Sequence, residues 1–314
     1  MKYLPTLLLL FALNSYCQES AQIIYLDSLD QKTAYGKHQS YASIGSQDSS
    51  GSFEVSQFSK DGILIAKGKS AEPNTWVKTG IVTAYFPDGT IKSKISYEKD
   101  MPSGAAELWY PNGKKQLEGS YHIPENNKIQ NLKIDNFWDA NGNHQVSNGN
   151  GSYEGTTTEI FGYEILEKGT IKDGYRDGSW ILTSINNKEK WTLNYANKAF
   201  TDGIYIDDKG NSENFTELFT SPIDNGGKEK IMKHLVKNLI IPENLTSNIK
   251  VITNLTIGLQ GGISNVTFPD KLDATLEKNI KIALLRLKDV KPATKLGKKI
   301  SYTISFPINI QASN

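Results

Sequence analysis

The feature that most constrains the fold is a turn that recurs along the first two thirds of the chain. An aromatic residue is followed within four positions by Gly62, Gly89 or Gly113, each preceded by Asp or Asn, and looser copies end at Gly142 and Gly210. The glycines of the first four copies are separated by 27, 24 and 29 residues. Asp-Gly and Asn-Gly supply the positive-φ residues of a tight turn, so each copy predicts a β-hairpin.

A second pattern lies between the turns, where a glycine is followed by a strand that carries an aromatic residue. It occurs at residues 80–85, 104–109, 178–180 and 203–205. Each repeating unit is therefore one hairpin, which is too small to bury a face alone. We expect the hairpins to lie side by side in a long antiparallel sheet that shares one aromatic stripe. Such a stripe is more often core than a binding platform.

At these residues the chain resembles the MORN repeat variant of exported bacterial proteins. The resemblance is clearest at residues 172–180, which read Lys-Asp-Gly-Tyr-Arg-Asp-Gly-Ser-Trp, and it covers residues 53–210. It implies a scaffold or a ligand-facing sheet. Residues 126–155 are rich in Asn and Gly and are predicted to form a long loop. No structure is assigned to residues 18–52.

The pattern changes after residues 211–225, which are polar, contain Gly and Pro, and are expected to form a linker. Ile231, Leu235 and Leu239 share one face of a predicted helix that Asp224 or Asn225 caps and Pro242 ends. Alternation predicts strands over residues 250–259, 263–268 and 300–310, and an amphipathic helix over 272–287. The fold class is therefore mainly β, with antiparallel repeat hairpins followed by a C-terminal α+β domain at residues 226–314, in the order α-β-β-α-β.

The last predicted strand is expected to lie at the edge of its sheet, because Pro307 cannot donate to a ladder on its own side. An open edge can accept a strand from another chain. The predicted partner-binding residues are those of this edge together with two lysines that would attract acidic partners, namely Lys298, Lys299, Ser301, Thr303, Ser305 and Asn309.

The C-terminal segment is similar to the C-terminal domain of TonB, an energy transducer that contacts outer-membrane receptors. The matching segments are residues 226–227, 237–242, 259–263, 290–293, 297–299 and 302–309, and the resemblance covers residues 226–311. It implies that a receptor segment is bound by strand addition during transport across the outer membrane. Val290 stands where the family has Trp. No inner-membrane anchor helix or Pro-rich spacer is recognised, so the family fold carries over better than the transport role.

The N-terminus predicts export. Lys2 precedes an apolar run, residues 4–13, which is shorter than a membrane-spanning helix requires. Ser15 and Cys17 occupy the −3 and −1 positions of a signal peptide, residues 1–17, and the protein is expected in the periplasm. Cys17 is the only cysteine. Asn14 and Tyr16 favour its loss on cleavage over acylation, which would instead attach the protein to a membrane.

The net charge of +1 conceals an uneven distribution. Residues 226–314 hold 14 Lys and Arg against 6 Asp and Glu, or +8, so the rest of the chain carries −7. A basic module is attracted to a membrane surface or to acidic segments. Arg176 and Arg286 are the only arginines, which argues against nucleic acid.

The sequence offers no constellation for catalysis. The four histidines lie far apart without metal-ligand spacing, and there is no phosphate-cradling motif and no nucleophile elbow. We therefore predict a protein that is not an enzyme and that uses no metal or cofactor.

Two functions follow from these patterns. In the first, the C-terminal edge strand binds a segment of an outer-membrane receptor or another envelope protein, or a second copy of this chain as a homodimer. In the alternative, the protein has a structural role in the envelope, and the hairpin array binds glycan, peptidoglycan or another exported protein. Exposure of Trp109, Tyr110 and Trp180 would favour the alternative.

Overall fold

A computed structural model describes residues 21–27, 30, 32–123, 131–158, 160–224, 226–243 and 245–312. These residues form antiparallel sheets and two α-helices, which confirms the mainly β fold class. The predicted signal peptide, residues 1–17 with Cys17, lies outside the described residues. The chain divides into two compact units. The first is Met1–Ile123 with Ala140–Asn143, and the second is Pro124–Asp139 with His144–Asn314.

The first unit is an antiparallel sheet in the order β2-β1-β3-β4-β5-β6-β7-β8-β9. Three of its strands come from residues 22–47, within the segment to which no structure was assigned, and they place Ile24 and Ala42 in the core. The strands are β1 (Gln22–Leu26), β2 (Lys32–Thr33), β3 (Ser40–Gln47), β4 (Phe53–Ser59), β5 (Leu64–Ser70), β6 (Lys78–Tyr85), β7 (Ile91–Glu98), β8 (Met101–Trp109) and β9 (Lys115–Tyr121).

The recurring turns join β4 to β5, β6 to β7 and β8 to β9, so the predicted hairpins are confirmed. The turn type differs from the prediction in one respect. At Asp88-Gly89 only the glycine has a positive φ, of 85°. The Asp88 carboxylate accepts hydrogen bonds from the backbone N–H of Thr90 at 2.9 Å and from its hydroxyl at 2.6 Å. A β-bulge at Tyr85 completes the turn, so the aspartate stays at negative φ.

The second unit begins with another antiparallel run, in the order β10 to β17. The prediction of a long loop at residues 126–155 is wrong for residues 131–155, and residues 126–130 lie outside the described residues. Asn148 and Gly149 both have positive φ and form a two-residue hairpin turn. The strands are β10 (Leu132–Trp138), β11 (His144–Ser147), β12 (Asn150–Thr157), β13 (Ile165–Lys172), β14 (Tyr175–Ser184), β15 (Lys190–Ala196), β16 (Ala199–Ile206) and β17 (Ser212–Phe215).

The inner face of this run is held together by aromatic rings that lie over glycines of neighbouring strands. Trp180 is fully buried, and a Cβ placed on Gly169 would lie 2.3 Å from its ring. Phe215 covers Gly203 in the same way, at 2.4 Å. Only a residue without a side chain leaves room for a ring this close to the backbone. At these two positions a glycine of one strand and a ring of the next strand therefore form one contact, whereas Gly80 and Gly178 of the repeated pattern have no neighbouring atom within 4 Å of an added Cβ.

The C-terminal module contains both helices. Helices α1 (Gly227–Asn238) and α2 (Ala274–Leu285) share a core with a three-stranded sheet in the order β20-β19-β23. The strands are β18 (Phe219–Thr220), β19 (Ile249–Ile257), β20 (Ile263–Thr267), β21 (Ala293–Lys295), β22 (Lys298–Ile300) and β23 (Tyr302–Ile310).

Several local details differ from the predictions for this module. Gly226 precedes α1 in the left-handed conformation without a side-chain cap, and the Asp224 carboxylate instead accepts from the Ser221 N–H. Asn225 lies outside the described residues. Strand β18 pairs with β21, and β21 with β22, in a second sheet that was not predicted. The expected linker thus contributes β17 and β18.

We predict that Gly169→Ala lowers the free energy of unfolding by about 1–3 kcal/mol, because the new methyl group would collide with the buried Trp180 ring. Urea denaturation followed by tryptophan fluorescence measures the change. Gly45→Ala is the matched control, since its Cβ would meet its nearest neighbour at 3.6 Å. Equal unfolding midpoints for the two variants would contradict the role assigned to Gly169.

Candidate functional site

The candidate site is the outer side of β23. This strand pairs with β19 along its whole length, from Ile249 opposite Ile310 to Ile257 opposite Tyr302. Among the described residues no strand pairs with its other side. The strand has nine residues, whereas β20 at the opposite edge of the same sheet has five. Proteins keep exposed edges short, so an open edge of this length is unusual.

The backbone direction of β23 follows from one hydrogen bond. The buried Thr253 hydroxyl donates to the Phe306 carbonyl at 2.8 Å, which places that carbonyl on the β19 side. Successive residues of a strand direct their backbone groups to opposite sides. The odd-numbered residues therefore direct theirs to the open side. Pro307 is one of them, so its missing N–H costs the β19–β23 ladder nothing.

The predicted edge residues lie largely where they were expected. Thr303, Ser305 and Asn309 are exposed along β23 and alternate with buried aliphatic and aromatic residues. The Thr303 and Thr256 hydroxyls are 2.9 Å apart across the strand pair. Ser301 lies between β22 and β23, and its hydroxyl donates to the Ile257 carbonyl at 3.3 Å. The predicted strand over residues 300–310 is thus interrupted at Ser301.

The two lysines lie in β22, away from the open edge strand. Lys299 is exposed. Lys298 instead forms an ion pair with Glu189, with Nζ 2.6 Å from Oε1 and 2.9 Å from Oε2. Glu189 is buried beside the start of β15, so Lys298 attaches the module to the repeat strands. This corrects the prediction that Lys298 attracts acidic partners.

The Glu189 carboxylate is held by three donors. Besides Lys298, the hydroxyls of Tyr163 and Tyr205 each donate to it at 2.5 Å. Burial alone would raise the pKa of Glu189, but these hydrogen bonds outweigh it and hold the pKa below its ordinary value. Burial lowers the pKa of Lys298, and the bond to Glu189 outweighs that effect and raises it. Both groups are therefore charged at neutral pH.

Further contacts surround this ion pair. The indole N–H of buried Trp191 donates to the Leu296 carbonyl at 3.0 Å. Lys298 also lies 5.2 Å from the centre of the Phe161 ring. Sequence reasoning missed this cluster, because Lys298 lies 109 residues after Glu189 and Leu296 lies 105 residues after Trp191. Glu189 follows a polar turn, and nothing in the neighbouring sequence indicates that its carboxylate is buried.

The aromatic residues of the array give a mixed result for the alternative function. Trp180 is fully buried, and the Arg176 guanidinium lies 4.2 Å from its ring centre. Trp109 and Tyr110 are half-buried, and the Lys115 ammonium lies 5.0 Å from the Trp109 ring centre. Trp180 is therefore a core residue, whereas Trp109 and Tyr110 are partly accessible.

Part of the hairpin array matches a known protein family. Residues 78–99 and 102–122 match the MORN repeat variant. Each matched segment contains one hairpin, first β6 with β7 and then β8 with β9. The predicted MORN repeats are thus confirmed for these two hairpins. No match to the TonB C-terminal domain was found, and that resemblance stays a prediction. A search of curated proteins found no match to the chain.

Among the described residues, no helix combines the length and the apolar character needed to cross a membrane.

We predict that Lys298→Met lowers the free energy of unfolding by about 2–4 kcal/mol, because it leaves the buried Glu189 carboxylate without its cation. The double variant Glu189→Gln with Lys298→Met should lose less than Lys298→Met alone. Lys299→Met is the control, since Lys299 is exposed on the same strand. Urea denaturation at neutral pH measures all three, and equal losses from Lys298→Met and Lys299→Met would contradict the assignment.

The same pair predicts a pH dependence. Because the folded-state pKa of Glu189 is lowered, its contribution is complete above the ordinary carboxyl pKa and is lost as pH falls through the lowered value. The raised pKa of Lys298 preserves the contribution until the pH exceeds that raised value. The difference in unfolding free energy between wild type and the double variant should therefore be constant around neutral pH and shrink in acid. If the difference in unfolding free energy between wild type and the double variant grew in acid, the assigned ion pair between Glu189 and Lys298 would be refuted.

Proposed function

We propose that this protein binds an extended segment of a partner protein by β-strand addition to β23. The observation that carries the proposal is the nine-residue strand that pairs on one side with β19 and has no strand on the other among the residues described. Backbone hydrogen bonds to a guest strand would supply affinity, and the flanking side chains would supply selectivity.

The open edge constrains the sequence of the guest strand. Residues Ile304, Phe306 and Ile308 lie on the face that packs against the helices, whereas Thr303 and Ser305 lie on the opposite, polar face. A guest strand continues both faces, so its side chains should alternate between apolar and polar. Such a segment would be extended and about nine residues long to match β23.

An aromatic pair lies at the first residue of β23. The Phe219 and Tyr302 rings are 5.1 Å apart, and both side chains are exposed. Two accessible rings at the start of an open edge form a contact surface for an apolar side chain of the guest. Exposed Lys299 lies nearby in sequence and would favour an acidic residue in the guest.

The resemblance of residues 226–311 to the TonB C-terminal domain supports a guest from the bacterial envelope. On this proposal the protein is exported to the periplasm and its guest is a segment of an outer-membrane receptor or of another envelope protein. A second copy of the chain is a further candidate guest, which would form a homodimer through two β23 strands.

Photo-crosslinking in living cells tests the proposal. Tyr302 is replaced by p-benzoylphenylalanine, which keeps an aromatic ring beside the open edge. Ser305→Pro in this background removes an outward N–H, and we expect the adduct yield to fall at least about tenfold, which corresponds to about 1.4 kcal/mol. Ser305→Ala keeps the backbone donor and should leave the yield unchanged.

Three controls make the result decisive. The proline variant must show the wild-type urea midpoint, which is expected because Pro307 already occupies an equivalent outward position. The same probe at exposed Tyr35 should give no adduct that depends on Ser305. Light scattering distinguishes a homodimer from a foreign guest. An adduct yield that is unchanged by Ser305→Pro would show that β23 is not the binding strand.

A further inference from the structure

Helices α1 and α2 lie side by side and antiparallel on the sheet. Lys230 forms an ion pair with Asp289 at 2.8 Å at one end. At the other end the Asn279 side chain donates to the Ile240 carbonyl at 2.9 Å. Between these contacts His234 Nε2 lies 2.9 Å from the Ala283 carbonyl. The two helices therefore present one continuous outward surface.

This surface carries aliphatic side chains in contact with solvent. Val236 is 83% exposed and Ile240 is 72% exposed, and they are joined on α2 by Ile282 at 40% and Leu285 at 37%. Lys233, Val236 and Lys237 lie on one face of α1, because residues three, four and seven positions apart share one face of a helix. Lys278, Ile282 and Leu285 share a face of α2 in the same way. Ile240 follows the end of α1, whose C-cap is Leu239. We call this surface the helix face and define it by Lys233, Val236, Lys237 and Ile240 with Lys278, Ile282, Leu285 and Arg286.

The charged members of the helix face as defined are all positive, although exposed Glu229 lies one turn before Lys233 on the same side of α1. Lys233, Lys237, Lys278 and Arg286 are exposed, and none forms an ion pair with a described residue. Two nearby acidic side chains are neutralised by other lysines. Glu277 pairs with Lys281 at 2.6 Å, and Asp289 pairs with Lys230. The helix face is therefore both apolar and cationic.

We propose that the helix face binds the surface of an anionic lipid bilayer. Exposed aliphatic side chains on a helical surface can enter the boundary between headgroups and acyl chains, while long lysine side chains reach the anionic headgroups. Each lysine near such a surface strengthens binding severalfold.

The composition of the helix face favours lipid over an acidic protein. Protein interfaces are enriched in aromatic residues and Arg and depleted in Lys. The helix face has no aromatic residue, three lysines and one arginine. These features match an amphipathic surface that lies on a membrane.

This inference does not depend on the proposed strand addition. The helices cover one face of the β20-β19-β23 sheet, and the helix face points away from that core. The open side of β23 uses backbone groups in the plane of the sheet. Bound lipid and a guest strand would therefore occupy different surfaces of the module.

Flotation with lipid vesicles tests the inference. The chain from Gln18 onward is used, because the apolar run at residues 4–13 would bind lipid by itself. We expect binding to vesicles of phosphatidylglycerol and phosphatidylcholine in equal parts, none to phosphatidylcholine alone, and weakening by added salt. Lys233→Gln with Lys237→Gln should reduce the partition coefficient about fivefold per lysine.

A second variant tests the apolar contribution. Val236→Ser with Ile240→Ser should reduce partitioning about tenfold, because both side chains lose their insertion into the boundary. The matched controls lie in the first unit, where Lys67→Gln with Lys94→Gln, and separately exposed Ile81→Ser, should leave partitioning unchanged.

Three results would overturn the inference. The first is no binding to anionic vesicles. The second is an equal loss from the control variants, which would indicate diffuse attraction by the whole chain. The third is retention on immobilised polyglutamate without vesicle binding, which would assign the helix face to an acidic protein. The β23 crosslinking result is independent of all three.

Discussion

The constraint on which this structure depends is that every strand must satisfy its backbone N–H and C=O groups on both sides. The chain meets it by adding one hairpin after another, so that each strand of the repeat run is paired by its neighbours in sequence. In the C-terminal module this local solution ends. β23 pairs with β19 across roughly fifty residues of chain, and its outer side is left to solvent or to a guest.

The parts of the fold that the sequence predicted well are those determined by the conformations of neighbouring residues. Asp-Gly and Asn-Gly turns identify hairpins because few residues tolerate the positive φ that these turns require. Gly89 has the expected positive φ, whereas Asp88 does not. The alternation of residues 302–310 identifies a half-buried strand for the same reason, since successive side chains point to opposite faces. The contact between Gly169 and Trp180 explains why a glycine is required at that position of β13.

The parts that were missed depend on contacts between distant residues. Residues 131–155 contain β10, β11 and most of β12, but frequent Asn and Gly conceal the alternation, and the hydrogen bonds of neighbouring strands decide the outcome. Lys298 was predicted to attract acidic partners because the carboxylate that binds it, Glu189, lies 109 residues earlier and gives no local sign of the ion pair. The interruption at Ser301 lies where the chain passes from one sheet to another, since β22 pairs with β21 and β23 pairs with β19. A short stretch of sequence does not reveal which of two sheets a strand will join.

The single residue between β22 and β23 has a mechanical consequence. A pull along a guest strand would load the β23 ladder in shear, so that its hydrogen bonds resist together rather than one at a time. Ser301 then passes the tension directly to β22, whose Lys298 is fastened to Glu189 among the repeat strands. The helices lie outside this load path. Tension would therefore reach the repeat array before it could unravel the module's core.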